Sequence, residues 1–226
     1  MATNKKKLVI AIDGPGGVGK STVARLAAQR LGIQYINTGA MYRAVALAAR
    51  DEGIDVQDDK AVQGFCSRLC IAYDPEKETI SVNNRDYTGE IKEESAGALA
   101  SVASQKRPVR ELLVRLQREF GAKKPAVMEG RDIGTVVFPD AVVKIFLDAL
   151  PEIRAQRRSL EMKDAPAGAE TTVLTGIRER DARDMGRDAS PLKAANDAIR
   201  IDTGGLDING VLERVLMEIK KKTGWA

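Results

Sequence analysis

From residue 7 the chain reads KLVIAID, then GPGGVGKST, then the helix-like VARLAAQRL. Residues 14 to 21 have the spacing G-x-x-x-x-G-K-[ST], and the pattern carries meaning only where a buried strand feeds it and a helix leaves it. Both flanks are present. Glycines let the backbone curl so that several N–H groups point at one anion. A helix beginning near Lys20 adds the positive end of its dipole. The loop therefore predicts a phosphate cradle made of Gly14, Pro15, Gly16, Gly17, Val18, Gly19, Lys20, Ser21 and Thr22. In such a cradle Lys20 neutralises the β- and γ-phosphates of a nucleoside triphosphate, and the Ser21 hydroxyl ligates Mg²⁺.

The remaining segments fit that beginning. Apolar residues make up 43% of the 226 and aromatics only 4%, so the core must be aliphatic. Short aliphatic runs at 33–37, 125–129, 141–148 and 198–202 read as further buried parallel strands. Between 71 and 88 the grammar changes: β-branched and aromatic residues are interrupted by turn chemistry at DPEKE and NN, which predicts two or three short antiparallel strands. Helices are expected from about 39 to Gly53, after Asp55 or Asp58, over 93–105, from Pro108 to Gly121, from Pro151, over 172–188, and over 208–222, the last with Val211, Leu212, Val215, Leu216 and Ile219 inward. DAPAGAETT (164–172) reads as a mobile connector. The expectation is one α/β domain, a P-loop NTPase core with a five-stranded parallel sheet flanked by helices. The core would span about 1–62, 124–150 and 190–226, with an insertion carrying the small antiparallel sheet at about 63–123 and a short lid at about 151–175.

Several chemistries are excluded at once. The chain has no His, so histidine bases, Ser-His-Asp triads and histidine-bound zinc are ruled out. Cys66 and Cys70 spell neither a zinc framework nor a redox pair. No 18-residue apolar run and no signal-peptide cleavage pattern is seen, so a cytoplasmic protein is expected, without a membrane partner. The net charge of +4 asks for an anionic partner. A nucleic-acid surface is disfavoured because the aromatics needed for a stacking platform are too sparse. The N/T-K-x-D element of a GTPase switch is absent from the sequence.

Loops at the carboxyl ends of parallel strands line the ligand crevice. NTGAMYR (37–43) and EGRDIGTVVFPDA (129–141) each follow a predicted strand and place Arg43, Arg131 and Asp132 across from the cradle. Together with GPGGVGKST, KIFLDA and RERDARDMGRD, in this order, they resemble the bacterial cytidylate kinases, a branch of the nucleoside monophosphate kinases. The resemblance runs from about residue 8 to 222. Gly16 and Val18 stand where Ser and Ala would be expected, and Glu129 where Asp is also seen.

The resemblance implies ATP + CMP ⇌ ADP + CDP, with dCMP also accepted, and ATP and Mg²⁺ as cofactors. It implies that Thr38, Arg43, Arg131 and Arg187 hold the CMP phosphate, with Tyr42 in the same substrate site. Ser101, Arg110 and Asp132 would read the cytosine, and Arg180 and Asp184 would lie at the ribose. Arg154, Arg157 and Arg158 would close on the transferring phosphate, and residues 202–205 would border the adenine. Lys20, Arg131, Arg157, Arg158 and Arg187 become the catalytic cations.

The residues make sense of this without the family. Cytosine offers an amine donor and two acceptors, which suit a carboxylate and an Arg or Ser. Phosphoryl transfer needs no histidine base, because the attacking phosphate oxygen is already largely ionised and catalysis is positioning plus charge neutralisation. Alternatives from other classes are a kinase for another monophosphate such as UMP, and a non-catalytic P-loop nucleotide sensor. A monomer is the expected state. In RERDARDMGRD (178–188), Arg180, Asp184 and Arg187 fall at i, i+4 and i+7, one side of a helix, while Arg178, Asp181, Arg183 and Asp188 are expected to face solvent.

Overall fold

The computed structural model describes residues 8–161 and 169–225. Five parallel strands form the central sheet: β1 (Val9–Asp13), β2 (Gln34–Asn37), β6 (Ala126–Gly130), β7 (Val143–Asp148) and β8 (Ile199–Asp202), in the order β2-β6-β1-β7-β8. All five residues of β1 are buried, because β1 pairs on both sides and is covered on both faces. Successive side chains of a strand point to opposite faces. Val9 and Ala11 thus join one apolar core with Ile36 and Met128, while Ile10 and Ile12 join another with Val127 and Ile145. Helices α1 (Lys20–Leu31) and α8 (Ile208–Thr223) cover the second face, and α8 buries Val211, Leu212, Val215 and Ile219 as expected.

The chain between β2 and β6 covers the first face. It runs through α2 (Thr38–Asp51), α3 (Asp59–Ser67), the antiparallel strands β3 (Ile71–Asp74), β4 (Thr79–Val82) and β5 (Arg85–Asp86), then α4 (Glu94–Ala103) and α5 (Arg107–Lys123). The three short strands form their own sheet in the order β3-β4-β5. Asp58 caps α3 by accepting from the N–H groups of Lys60 and Ala61. α5 does not stop at Gly121 but runs to Lys123. Gly121 serves instead as a close-approach point, since a Cβ there would meet the Phe138 ring at 2.5 Å and Val9 Cγ2 at 3.1 Å.

After β7 come α6 (Pro151–Glu161) and α7 (Ala169–Met185). The connector expected over 164–172 falls largely outside the described residues, and its last four positions form the first turn of α7. α7 ends at Met185, so Arg187 is not on the helix as its spacing suggested. Asp181 also departs from expectation: it is buried, and its carboxylate accepts from Arg154 Nη2 at 2.5 Å. The reason is α6, which packs along α7 and covers the face that would otherwise be wet. Arg154 further donates to Ala149 O at 2.9 Å and to Gly16 O at 3.1 Å, so one guanidinium joins α6, α7 and the glycine loop.

Removing one partner of a buried ion pair leaves an uncompensated charge. Asp181→Ala is expected to cost about 3 to 5 kcal/mol of unfolding free energy by denaturant titration. A loss under about 1 kcal/mol would mean that water substitutes for the carboxylate.

Candidate active site

The glycine loop leaves β1 at Gly14, whose φ is +149°, and a Cβ there would sit 2.1 Å from the Leu147 carbonyl oxygen of β7. Only glycine lets the chain turn so close to its neighbour strand. Gly17 and Gly19 also adopt positive φ, and α1 starts at Lys20. Val18 is buried in the apolar core, so the added bulk turns inward. A Cβ at Gly16 would be 3.6 Å from Arg131 Nη2 and 3.9 Å from Arg180 Nη1, which brings both guanidiniums over the loop. Ser21 and Thr22 stand exposed on the first turn of α1.

Cations crowd this mouth. Lys20 is buried, and its ammonium donates to Pro15 O at 2.5 Å. Burial, and then Arg131 beside it, hold Lys20 well below the ordinary lysine range. Arg180 is pushed down to about 10 by burial and by Arg131. Burial likewise lowers Arg43 and Arg187, with Arg131 adding to the repulsion on each. Asp184 answers part of this charge. It accepts from Arg131 Nε at 3.1 Å and from Arg187, and these guanidiniums outweigh burial to hold its carboxyl below the usual range. Arg180 Nε and Arg187 Nε are buried with no hydrogen-bond partner. Unpartnered buried donors of this kind call for an anionic or polar occupant.

The loop after β6 supplies the next wall. Gly130 ends the strand, and a Cβ there would meet Thr38 Oγ1 at 2.9 Å. Thr38 donates to Glu129 O at 2.7 Å. Asp132 forms a buried ion pair with Arg110 of α5, whose guanidinium lies 5.6 Å from the centre of the Tyr42 ring. Burial pushes the Tyr42 hydroxyl up to about 12. Ser101 of α4 is buried and accepts from Arg183 Nε at 3.3 Å. Arg43 of α2 donates to Ile91 O at 3.3 Å.

Glu129 is buried at the end of β6, and its Oε1 accepts from Tyr35 at 2.6 Å. Mg²⁺ in phosphoryl-transfer sites is held by one or two protein oxygens together with substrate phosphates and water. Ser21 and Glu129 fit that donor set, and among the described residues no three carboxylates gather into a separate cage.

The expected residues thus converge, with three exceptions. Arg157 donates to Thr203 Oγ1 at 3.1 Å and to the carbonyls of Thr203 and Leu206, beside the 202–205 loop and not at the glycine loop. Arg158 pairs with Glu161 at 3.3 Å and reaches Glu94 of α4 at 3.7 Å. Arg154, expected at the phosphate, instead holds the glycine-loop backbone. Three contributors were not singled out from sequence. Asp13 is buried at the end of β1 and pushed up to about 7 by burial. Tyr35 fixes Glu129, and Arg183 reaches Ser101 from a position expected to face water. Of these only Tyr35 carried a signal, as an aromatic in a short strand leading to the site.

The family model for cytidylate kinase matches residues 10–221. The cytidylate kinase of Citrifermentans bemidjiense is 45% identical over 225 residues, covering 98% of this chain and 96% of that protein. The cytidylate kinase of Bacillus pumilus is 45% identical over 215 residues, covering 94% and 96%. Among solved structures, a gluconokinase from Sinorhizobium meliloti aligns with a TM-score of 0.50 at 14% identity, covering 98% of this chain and 96% of that one, a likeness of fold alone. With its glycine loop, five-stranded parallel sheet and near full-length match, this chain belongs to the cytidylate kinase family.

Proposed function

We propose that this protein phosphorylates CMP, and dCMP, with ATP by direct in-line transfer to give CDP or dCDP. The observation that carries the reading is the pairing of two half-sites in one cleft. A cation-crowded glycine loop suits the triphosphate, and a buried Asp132–Arg110 pair, with Arg110 also donating to Ser104 O one turn from the buried Ser101, suits cytosine. The exocyclic amine of cytosine donates to Asp132, while Arg110 and Ser101 donate to its ring acceptors.

Each remaining group has a task. Thr38, Tyr42, Arg43, Arg131 and Arg187 receive the CMP phosphate, and Arg180 with Asp184 meets the ribose. Ser21, with Glu129 behind it, would hold Mg²⁺, which when bound would supply neutralisation of the charge that develops on the transferring phosphate. Lys20 leaves the Pro15 carbonyl for the phosphates, which relieves the repulsion it suffers from Arg131. Arg157 and Arg158 act only if α6 swings inward with its segment, the lid read at about 151–175. The contacts Arg158–Glu94 and Arg183–Ser101 between this side and α4 support the reading. Closure excludes water that would otherwise take the γ-phosphate. The protein is read as a monomer acting on small molecules in the cytoplasm. Among the described residues no helix is long and apolar enough to cross a membrane.

Initial rates with CMP, dCMP, UMP, dUMP and AMP at fixed ATP–Mg²⁺ should favour the cytosine nucleotides. Uracil would set a lone pair against Asp132, a mismatch of about 1–3 kcal/mol, or roughly tenfold to a hundredfold in kcat/KM. Asp132→Ala should lower kcat/KM for CMP by at least that much and leave the KM for ATP nearly unchanged; a preference for UMP in the parent protein would sink the assignment. For closure, CMP together with an unreactive ATP analogue should lower the radius of gyration in small-angle scattering. An unchanged profile would count against a moving lid.

A further inference from the structure

Asp132 occupies the position before a π-helical turn, Ile133–Val137, yet makes no capping hydrogen bond to it. An Asp at a helix start ordinarily turns its carboxylate onto the first free N–H groups. Here that carboxylate is committed to Arg110. The leading amides of the turn are nevertheless satisfied. Ile133 N donates to Asp13 Oδ1 at 2.9 Å, and Gly134 N donates to Asp13 Oδ2 at 2.7 Å. Asp13 lies 120 residues earlier, at the end of β1, in register with Gly130 of β6. It is buried, and both of its oxygens are used by this one turn.

We propose that Asp13 is a positioning residue for base recognition: it caps the 133–137 turn from the neighbouring strand and so frees Asp132 to face Arg110 and the base. Without that cap, two buried N–H groups are orphaned within reach of the Asp132 carboxylate. A carboxylate drawn onto them leaves Arg110 unpaired and the cytosine amine without its acceptor. The inference rests on the reading that Asp132 recognises cytosine.

Asp13→Asn keeps the shape but offers one acceptor oxygen and sets an NH₂ against the second amide. It should raise KM for CMP about tenfold or more with a smaller change in kcat, and reduce the CMP-to-UMP ratio of kcat/KM in the same direction as Asp132→Ala, while KM for ATP stays near that of the parent. In the Asp132→Ala background, Asp13→Asn should change that ratio no further, because it acts through a carboxylate already gone. If Asp13→Asn does not fold, Asp13→Ser, smaller and uncharged, gives the same readout. A variant with lower kcat or stability but an unaltered CMP-to-UMP ratio overturns the inference, as do effects that add independently in the double variant. If Asp132→Ala itself leaves the ratio intact, the base assignment fails and carries this inference with it. A normal Asp132 effect with a silent Asp13 overturns this inference alone.

Discussion

Burying positive charge is expensive, and this fold concentrates it. Lys20, Arg43, Arg131, Arg180 and Arg187 converge on one cleft, and burial, with repulsion from neighbouring arginines added, lowers Lys20, Arg43, Arg180 and Arg187. Asp184 and Glu129 compensate only in part, and two guanidinium Nε atoms remain buried without partners. A chain that needed only stability would pair or remove these groups, because desolvated like charges oppose folding. The imbalance makes sense once phosphates enter, since the anions of two nucleotides supply the missing charge. Preorganised cations then act on the transferring group without having to be assembled.

What holds the cations in place is the parallel sheet. β1 lies at its centre, paired with β6 on one side and β7 on the other, so the carboxyl ends of three strands open on the same cleft. The glycine loop is fixed against β7 because Gly14 has no side chain to hold it away. It is fixed from above by Arg154, which bonds the Gly16 carbonyl while anchored to Asp181. The same guanidinium therefore ties the loop to α6, which carries it, and to α7 through Asp181. If α6 moves as the proposed lid, it would have to carry the Gly16 contact along or break it.

The strands, the glycine loop and the small antiparallel sheet were legible in the sequence because each is encoded within a few residues. Aliphatic runs, glycine spacing and turn chemistry are local signals. RERDARDMGRD was only half legible. Helical spacing grouped Arg180 with Asp184, but α7 stops at Met185, and Arg187 reaches the same carboxylate from beyond the helix end. Asp181 was misread because its partner is Arg154, and no periodicity within α7 reports that α6 covers that face. Arg183 and Ser101 lie 82 residues apart, and Asp13 caps a turn 120 residues away through backbone groups that leave no mark in residue type. Tertiary partners, above all backbone ones, are what single-sequence reasoning cannot supply.

The buried pairing of Arg110 with Asp132 bears on how selectivity for one base arises. A carboxylate buried alone would carry a large desolvation penalty, and its guanidinium partner removes much of it before substrate arrives. On the proposed reading, cytosine would enter a site already charge-balanced by this pair. Its amine would add a donor to the free face of Asp132, while its ring acceptors would meet Arg110 and Ser101, so no existing pair would have to be sacrificed. Uracil at the same place would turn a carbonyl oxygen toward the carboxylate. It could then bind only by breaking the Arg110 pair or by retreating from it, and both alternatives would leave a buried charge less well compensated than in the Arg110–Asp132 pair. On this reading, discrimination comes less from what cytosine gains than from what its competitor disrupts.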